Sequence, residues 1–268
     1  MTPVLANPSD TQRQASAPSA ARIYTYLLGG KDYHLADQAA AEVLKAKFPT
    51  VQHAARANRG FMLRAVRAMA EAGVTQFLDI GCGLPLTPNA HDYARAVHPD
   101  ARVVYVDNDP QVVAHGQAKL REPGLTVIGG DLRDPQAILE DPQVRDALDL
   151  SRPVGLLIVA VAHFVPDDDD PAGAIAFLRD RLASGSHLAL THACTDTMSE
   201  EEAAAGKAVY RQTPSGVWPR SHDAIRALFD GWELVAPGLS GVARWRPREG
   251  DPYPEAAPES VAAVGVKP

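Results

Sequence analysis

The sequence predicts an α/β domain built on a doubly wound, mostly parallel sheet. Five short segments are nearly continuous apolar runs, as strands are when helices cover both faces of a parallel sheet. These strands span residues 76–80, 103–106, 125–128, 154–161 and 187–191. The segments between them carry apolar residues at helical spacing, for example Ile175, Leu178 and Leu182. Strands and helices therefore alternate along the middle of the chain.

A recurring helix-start signal supports the same fold. In each case a capping side chain stands directly before a proline, which is favoured at the first helical position. Because most of these pairs follow a strand, they favour β/α units with right-handed crossovers, in which ligands bind beyond the carboxyl ends of the strands. The pairs are Thr87-Pro88, Asp109-Pro110, Asp134-Pro135, Asp141-Pro142 and Asp170-Pro171.

The ends of the chain differ from its middle. Two weaker strands are predicted at 232–235 and 242–245. Residues 1–18 are rich in Ala, Ser, Pro, Thr and Gln and are predicted to be disordered, and residues 247–268 are rich in Pro, Ala and Glu and are predicted to form a flexible tail. One domain, residues 19–246, is expected between them.

The composition excludes several classes of protein. The 268 residues are 46% hydrophobic, enough for a full core, and the net charge of −7 argues against a nucleic-acid-binding surface. Cys82 and Cys194 are far apart, so neither a disulfide framework nor a metal site is predicted. The longest apolar run is too short to span a membrane, and no signal peptide is recognised. A cytoplasmic, soluble protein is expected.

The loop after the first strand reads Asp79-Ile-Gly81-Cys82-Gly83. Two glycines permit positive φ and let a ligand approach the backbone. A dinucleotide fingerprint would place a third glycine where Leu86 stands. Asp79 would repel a pyrophosphate but attract an ammonium, so a ligand with a cationic amino-acid end is favoured. The alternative is an ordinary tight turn.

The next two loops also offer carboxylates at strand ends. Asp107, followed by Asn108, can accept both hydroxyls of a ribose. Asp131 can accept from the exocyclic amine of an adenine, with Leu132 packed on the ring. Each acid taken alone could equally be a turn residue. Adjacent β/α units bring these loops side by side, however, which makes the combination more specific.

The fourth and fifth strands end near two histidines. His163 and His192 could touch a cofactor, position an acceptor or act as a base. The alternative for each is a packed, hydrogen-bonded core histidine. Cys194 is interpreted as a small buried residue, because no basic partner stands beside it in the sequence.

The N-terminal segment 19–34 combines aromatic residues with a Gly29-Gly30 pair before the first predicted helix. Such a segment can fold over a bound ligand as a lid, or it can simply pack on the surface. Arg59, further on, could reach a ligand carboxylate or lie on a helix surface. The residues predicted to line the lid are Tyr24, Tyr26 and Tyr33.

Together these loops resemble the class I S-adenosylmethionine-dependent methyltransferases. The sequence is still more similar to a bacterial family within that class, once a domain of unknown function and called S-adenosyl methyltransferase. The similarity covers roughly residues 20–246, with Cys82 in a position where threonine is expected more often. Its motifs are Tyr24-Thr-Tyr-Leu-Leu-Gly-Gly-Lys-Asp32, Asn58-Arg59, Phe77-Leu-Asp-Ile-Gly-Cys-Gly-Leu-Pro85, Val104-Tyr-Val-Asp-Asn-Asp-Pro110, Asp131-Leu-Arg-Asp-Pro135 and the run from Val161 to Asp170.

This resemblance implies a Rossmann-like, seven-stranded sheet whose last strand is antiparallel, S-adenosylmethionine as cofactor, and methyl transfer to an acceptor that the sequence does not name. A small molecule is expected, and His163 and His192 are the candidate bases. Two alternatives remain: a non-catalytic sensing module on the same fold, and an NAD-dependent oxidoreductase, which Asp79 and Leu86 disfavour. The residues expected at the cofactor are Arg59, Asp79, Gly81, Cys82, Gly83, Asp107, Asn108, Asp131, Leu132, Ala162 and His163.

Overall fold

The structure is a computed structural model that describes residues 17–254 and 260–268. Its centre is a single sheet of order β3-β2-β1-β4-β5-β8-β6, with the short β7 paired to β8. The first five strands run parallel, and β8 is antiparallel to β5, β6 and β7. The strands are β1 Gln76–Ile80, β2 Arg102–Asp107, β3 Leu125–Gly129, β4 Gly155–Ile158, β5 His187–Ala193, β6 Glu233–Leu234, β7 Ser240–Gly241 and β8 Ser260–Val266. The predicted mostly parallel, doubly wound sheet with an antiparallel last strand is confirmed.

Helices cover both faces of the sheet. Strand β1 shows why, because its alternate side chains enter two different cores: Leu78 and Ile80 pack with the residues of one face, and Phe77 packs with those of the other. The helices are α1 Ala20–Leu27, α2 Leu35–Lys47, α3 Val51–Glu71, α4 Ala90–Arg95, α5 Pro110–Lys119, α6 Pro135–Glu140, α7 Pro142–Ala147, α8 Pro171–Arg181, α9 Glu200–Tyr210 and α10 His222–Ala227. None of the described helices combines the length and apolar character needed to cross a membrane.

Four of the five predicted helix starts are confirmed. The aspartate side chain before each proline accepts a hydrogen bond from a backbone N–H in the first turn, as a helix cap should. These caps are Asp109, Asp134, Asp141 and Asp170. The fifth prediction is wrong. Thr87-Pro88 lies in a loop, and α4 begins at Ala90, capped by Asn89 with Asp92 reaching back to the Asn89 N–H.

The antiparallel strand is not where the sequence placed it. Residues 242–245 were predicted as a strand, but Val242–Arg244 form a single turn of 3-10 helix. The strand is β8, which pairs with β5 over seven residues, so the prediction of a flexible tail is wrong for residues 260–268. β8 lies buried between β5 and β6, where its small apolar side chains fit. The Pro- and Glu-rich residues before it made the whole segment resemble a flexible tail. Residues 255–259 of that tail, and residues 1–16 of the predicted N-terminal tail, lie outside the described residues.

Three helices form a layer of their own beyond the carboxyl ends of the strands. We call α1, α2 and α9 the cap layer. They share a small apolar cluster that includes Ile23 from α1, Leu44 from α2 and Val209 from α9. A buried ion pair at 2.7 Å joins Arg22 of α1 to Asp37 of α2.

The N-terminal segment was predicted to precede the first helix, but its first part is itself helical. Tyr24 and Tyr26 lie within α1, and Gly29 ends that helix with a φ of +82°. Glycine tolerates this left-handed conformation, which commonly terminates helices. The Gly29-Gly30 pair therefore acts as a helix stop, and whether it also works as a hinge stays a prediction.

Candidate functional site

A cavity of about 690 Å³ lies between the carboxyl edge of the sheet and the cap layer. Ligand pockets in proteins typically enclose about 300–1,000 Å³. The loops after β1, β2, β3, β4 and β5 all contribute to its walls. The sequence therefore predicted the correct edge of the sheet, as expected for an open α/β fold.

The two glycines after β1 have different jobs. Both have positive φ, +73° at Gly81 and +66° at Gly83. A β-carbon on Gly81 would lie 2.3 Å from Val161 Cγ2, whereas a β-carbon on Gly83 would meet nothing within 4 Å. Gly81 is thus required for packing against the loop after β4. Gly83 lines the cavity with an open side. A side chain there would collide with a bound ligand and not with protein atoms.

Two carboxylates are buried at this turn. Asp79 and Asp107 are only 5% and 6% exposed. The Asp107 side chain accepts from the Gly83 N–H at 2.9 Å and the Asp109 N–H at 3.0 Å, whereas Asp79 has no hydrogen-bond donor among the described residues. Burial raises the pKa of Asp79 to about 7, with the Arg59 charge opposing and the Asp107 charge adding to the rise. Burial also raises the pKa of Asp107 to about 6, against its backbone hydrogen bonds. The turn therefore places two buried acids close together, and a cationic ligand would stabilise their ionised forms.

Asp131 is held differently from the other two acids. Its carboxylate accepts from Asn108 Nδ2 at 2.8 Å and from Arg133 Nη2 at 2.6 Å. Burial acts to raise its pKa, but the hydrogen bonds from Arg133 and Asn108 outweigh burial and lower the pKa to about 2. The neighbouring Leu132 is buried and lines the cavity. The structure thus brings Asp131, Asn108 and Leu132 together beside Asp107, while their contact with an adenine stays a prediction.

Arg59 lies inside the protein and lines the cavity, not on a helix surface. Its Nη2 donates to the Leu86 carbonyl at 2.9 Å, the Pro88 carbonyl at 2.7 Å and Asn89 Oδ1 at 3.0 Å. Only one nitrogen of the guanidinium is used by these bonds. The others make no hydrogen bond among the described residues, and the binding of a ligand carboxylate by Arg59 stays a prediction.

A chain of hydrogen bonds ties the cap layer to the sheet across the cavity. The Ala160 N–H donates to Thr191 Oγ1 at 2.8 Å, and that hydroxyl donates to Asn58 Oδ1 at 2.6 Å. The Asn58 amide donates to the Tyr24 hydroxyl at 2.8 Å, which donates to the Ala55 carbonyl at 3.0 Å. Sequence reasoning missed Thr191 and Ala160 because their partners lie far away in the chain. Ala160 has a φ of +58°, an unusual conformation for a residue with a side chain.

Only one of the three predicted lid tyrosines lines the cavity, and it is Tyr24. Tyr26 points to the far side of the cap layer, where its hydroxyl donates to Glu42 Oε1 and its ring meets Tyr33 edge-on at 4.8 Å. The reason is helical geometry: positions 24 and 26 are about 200° apart around α1. The prediction that Tyr26 and Tyr33 line the site is therefore wrong.

His192 is a packed histidine. Its Nδ1 donates to the Ala193 carbonyl at 2.8 Å, and its Nε2 accepts from Arg220 Nη1 at 2.9 Å. Burial lowers its pKa to about 4, with the Arg220 charge contributing and the Ala193 carbonyl opposing. Both ring nitrogens are occupied, so His192 could serve as a base only by giving up Arg220.

Arg220 organises the loop after β4. Besides His192 it binds Asp167 at 2.6 Å and the carbonyls of Ala162 and Val165. No sequence signal marked this residue, because it comes from a segment well beyond β5. Ala162, expected at the cofactor, belongs to the apolar core beside this loop and not to the cavity wall. Its expected contact is therefore wrong, since the turn that begins at Ala162 directs this side chain inward.

His163 is the other histidine of the cleft, and it lines the cavity. Its ring lies 5.4 Å from the His192 ring and 4.4 Å from the Phe164 ring, measured between centroids. The Nδ1 atom is shielded from water and has no partner among the described residues. Burial, together with the nearby His192 and Arg220, holds the pKa of His163 well below its usual value. His163 is therefore neutral, and its Nε2, which is neither shielded nor hydrogen-bonded among the described residues, is the ring nitrogen that can meet a ligand.

The cysteines and acids of the described residues form no metal centre. Within residues 17–254 and 260–268, no three His, Cys, Asp or Glu side chains gather closely enough to hold a metal ion. Cys82 and Cys194 are both free thiols. Cys82 lines the cavity, as predicted, and burial raises its pKa well above the usual value. Cys194 is fully buried, which matches its interpretation as a packing residue.

Comparison with known proteins gives a consistent result. The family model described as S-adenosyl methyltransferase matches residues 6–268. A proposed methyltransferase of Thermobifida fusca YX is 37% identical, with a TM-score of 0.88 over 98% of this chain and 99% of its own. A DUF574 family protein of Streptomyces avermitilis MA-4680 is 39% identical, with a TM-score of 0.88 over 96% of this chain and 100% of its own. No curated protein matches the sequence.

A more distant structure shares the fold alone. The plantazolicin methyltransferase BamL, solved in complex with a triazolic desmethylPZN analogue and SAH, is 11% identical, with a TM-score of 0.50 over 96% of this chain and 98% of its own. At this identity the likeness supports the architecture of the sheet and its helices.

Proposed function

Because the chain belongs to the S-adenosyl methyltransferase family, whose cofactor is S-adenosylmethionine, we propose that it transfers the cofactor's methyl group to a small organic acceptor bound in the same cavity. One observation carries the proposal. The buried Asp79, without a hydrogen-bond donor among the described residues, stands beside Asp107 and the open side of Gly83 in a cavity of about 690 Å³.

The residues present suit this cofactor. Its methionine end bears an ammonium and a sulfonium, which would compensate the charge that burial makes costly at Asp79 and Asp107. Asp107 would accept the ribose hydroxyls, and Asp131 with Leu132 would frame the adenine. Arg59 would bind the cofactor carboxylate with the nitrogens that the loop of residues 86–89 leaves free.

The bound cofactor supplies an activated methyl group, so the protein has little covalent chemistry to perform. Holding the acceptor atom in line with the reacting carbon can supply most of the rate enhancement. The cap layer, fixed over the cavity through Tyr24 and Asn58, would exclude water from that geometry. A base is required only where the acceptor must lose a proton, and His163 offers a free nitrogen for it.

Two rival functions are open to the same experiments. A sensing module on this fold would bind S-adenosylmethionine tightly but transfer no methyl group to any component of a cell extract. An NAD-dependent oxidoreductase would bind NADH instead, although the acid at Asp79 would face its pyrophosphate. Neither rival is supported by the family to which the chain belongs.

Replacing Asp79 by asparagine tests the cofactor site. We expect S-adenosylmethionine to bind about ten- to a hundredfold more weakly, since a hydrogen bond to a charged group contributes about 1.5–3 kcal/mol. We also expect the unliganded variant to be more stable than wild type above pH 7, because a buried carboxylate without a donor is removed. Calorimetric titration and thermal unfolding measure the two effects.

The matched control is Asp100→Asn, which removes the same charge from an exposed position. It should leave both quantities unchanged. Asp79→Asn protein that binds the cofactor as tightly as wild type would contradict the proposed site, whatever its stability.

The raised pKa values of Asp79 and Asp107 predict opposite pH effects on stability and on binding. Both folded-state values lie above the unfolded value of about 3.9. Their contribution to stability is therefore present below about pH 4 and is lost as the pH rises through about 6 and 7. Cofactor affinity should increase over the same interval, because the cationic end binds the ionised carboxylates. Titrations at about pH 5.5 and pH 7.5, in buffers of different protonation enthalpy, should detect proton release at the lower pH. Affinity that does not change with pH would contradict this assignment.

A further inference from the structure

The cavity has two chemically different ends. The cofactor end holds Asp79, Asp107 and Asp131. The opposite end, which we call the acceptor end, lies between the cap layer and the loop after β4. It is lined by Val51, Phe164, Met198, Tyr210 and Val217, together with His163 of the loop after β4.

The walls of the acceptor end are apolar and partly aromatic. The Phe164 ring lies 5.2 Å from the Tyr210 ring and packs against His163 on its other side. The Trp218 N–H donates to the His163 carbonyl at 2.7 Å, so the segment carrying Val217 is fixed beside the same histidine. Side chains of this kind bury the flat, apolar body of a ligand.

No described residue offers a cation at the acceptor end to receive an anionic ligand. Among the described residues, the arginines that line the cavity are Arg22, Arg59 and Arg133, and no lysine lines it. Each arginine is bound at the cofactor end: Arg22 to Asp37, Arg59 to the loop of residues 86–89, and Arg133 to Asp131. A carboxylate or phosphate on the acceptor would therefore lose its water without gaining a partner, which is costly.

The acceptor end also offers little negative charge to a cationic ligand. Glu202 lines the cavity, but its Oε2 already accepts from the Ser199 N–H at 2.8 Å and the Ser199 hydroxyl at 2.9 Å, as part of the cap of α9. This carboxylate is committed to helix α9 and lies at its first turn. A neutral acceptor therefore fits this end better than a cationic one.

The Tyr210 hydroxyl has no hydrogen-bond partner among the described residues. The same is true of His163 Nε2, which, unlike Nδ1, is not shielded. Burial raises the pKa of Tyr210 to about 12, with the nearby Tyr24 adding to the effect, so Tyr210 keeps its proton and can donate. His163 is neutral and can accept. A hydroxyl group on a ligand can hydrogen-bond to both residues, because it can donate its proton to His163 and accept the Tyr210 proton with a lone pair.

The geometry points to a neutral aromatic molecule with a hydroxyl group as the methyl acceptor, and to oxygen as the atom that is methylated. This inference rests on the proposed function. A lone pair of the acceptor oxygen forms the new C–O bond while the C–S bond of the sulfonium breaks, and its electron pair stays on sulfur as a neutral thioether. The hydroxyl proton passes to His163 Nε2 and then to water. A neutral amine attacks through its lone pair without first losing a proton, so it would not require His163 as a base.

A charge-matched set of probes tests the class of acceptor. We would titrate protein saturated with S-adenosylhomocysteine with 2-naphthol, 2-naphthylamine and 2-naphthoate, and with the one-ring compounds phenol, aniline and benzoate. For at least one ring size, the hydroxyl compound should bind at least ten times more tightly than the carboxylate of the same ring size. With labelled S-adenosylmethionine, the label should appear in an aryl methyl ether.

The outcomes separate the inference from the function on which it rests. If S-adenosylhomocysteine does not bind, the proposed function itself fails. If it binds but a carboxylate binds as well as the hydroxyl compound, the amine is methylated in preference, or none of the six compounds binds at millimolar concentration, the proposed acceptor class is overturned.

Two variants test the residues. Tyr210→Phe should weaken binding of the hydroxyl probe about three- to tenfold, the range for one lost hydrogen bond, and leave cofactor affinity unchanged. Tyr26→Phe is the matched control, since its hydroxyl faces Glu42 outside the cavity, and it should change neither affinity. His163→Gln should lower kcat for the hydroxyl probe far more than it changes KM. Equal effects of Tyr210→Phe and Tyr26→Phe, or unchanged kcat in His163→Gln, would overturn the roles assigned here.

Discussion

Replacing Gly83 by leucine is expected to weaken S-adenosylmethionine binding about 10- to 100-fold while the protein still folds. The reason is that a β-carbon at this position meets no protein atom within 4 Å, although the residue lines the cavity beside Asp107. The new side chain would therefore occupy ligand space, and overpacking typically costs about 1–3 kcal/mol. Calorimetric titration with the cofactor measures the loss.

The control for this variant must share its backbone strain. Gly83 has a φ of +66°, where a residue with a side chain costs about 1–2 kcal/mol more than glycine. Gly73 has a φ of +96° and equally open surroundings, but it is exposed at the end of α3, far from the cavity. Gly73→Leu should lower the melting temperature about as much as Gly83→Leu and leave cofactor affinity unchanged. Equal affinity in the two variants would mean that no ligand lies against Gly83.

Gly81 is less suitable for this test, although it belongs to the same motif. A side chain there would collide with Val161, and the loop after β4 would have to move. A loss of binding in Gly81→Val protein could then reflect a displaced loop and not a blocked site. The structure therefore identifies Gly83 as the position where binding and folding can be separated.

The second large effect is expected in β8. Val264 is 1% exposed and packs in the core that α3 covers, so Val264→Asp would bury a charge without a partner. We expect a loss of roughly 3–5 kcal/mol in the free energy of unfolding, out of about 5–15 kcal/mol for a whole domain. Chemical denaturation followed by circular dichroism measures it, and poor recovery of folded protein would be the extreme form of the same result.

Val266→Asp is the matched control for this prediction. It places the same charge two residues later on the same side of the strand, where the side chain is only half-buried. Its cost should be about 1 kcal/mol or less. If residues 247–268 were a flexible tail, as their composition suggests, both variants would be as stable as wild type, and the position of β8 in the sheet would be wrong.

Local interactions explain which features the sequence predicted well. Asp109 and Asp170 cap helices through backbone groups two or three residues away, so the short Asp-Pro pattern contains the whole interaction. The turn at Asp79, Gly81 and Gly83 is similarly local, and its place at the end of a buried strand follows from the apolar run before it. The family motifs then indicated the cofactor.

Interactions between distant segments explain what the sequence did not predict. His163 and His192 looked equivalent, because each follows a buried strand. Their difference comes from Arg220, whose guanidinium binds His192 Nε2, whereas His163 Nε2 has no partner among the described residues. Likewise, β8 was hidden because its short, apolar residues become a strand only through pairing with β5 across more than sixty residues of chain.

The sequence by itself determined the alternating α/β fold, the edge of the sheet at which the cavity lies, and the motifs of the S-adenosyl methyltransferase family around Asp79 and Asp107, because each depends on spacing within one short segment. Only the tertiary structure decided the parts that we propose to select an acceptor. The cap layer places the Tyr210 ring against Phe164, which packs on His163, and it turns Tyr26 away. It also borders an end of the cavity that lacks an unpaired cation among the described residues. Those features arise where helices from different parts of the chain pack together, so no local sequence pattern predicts them.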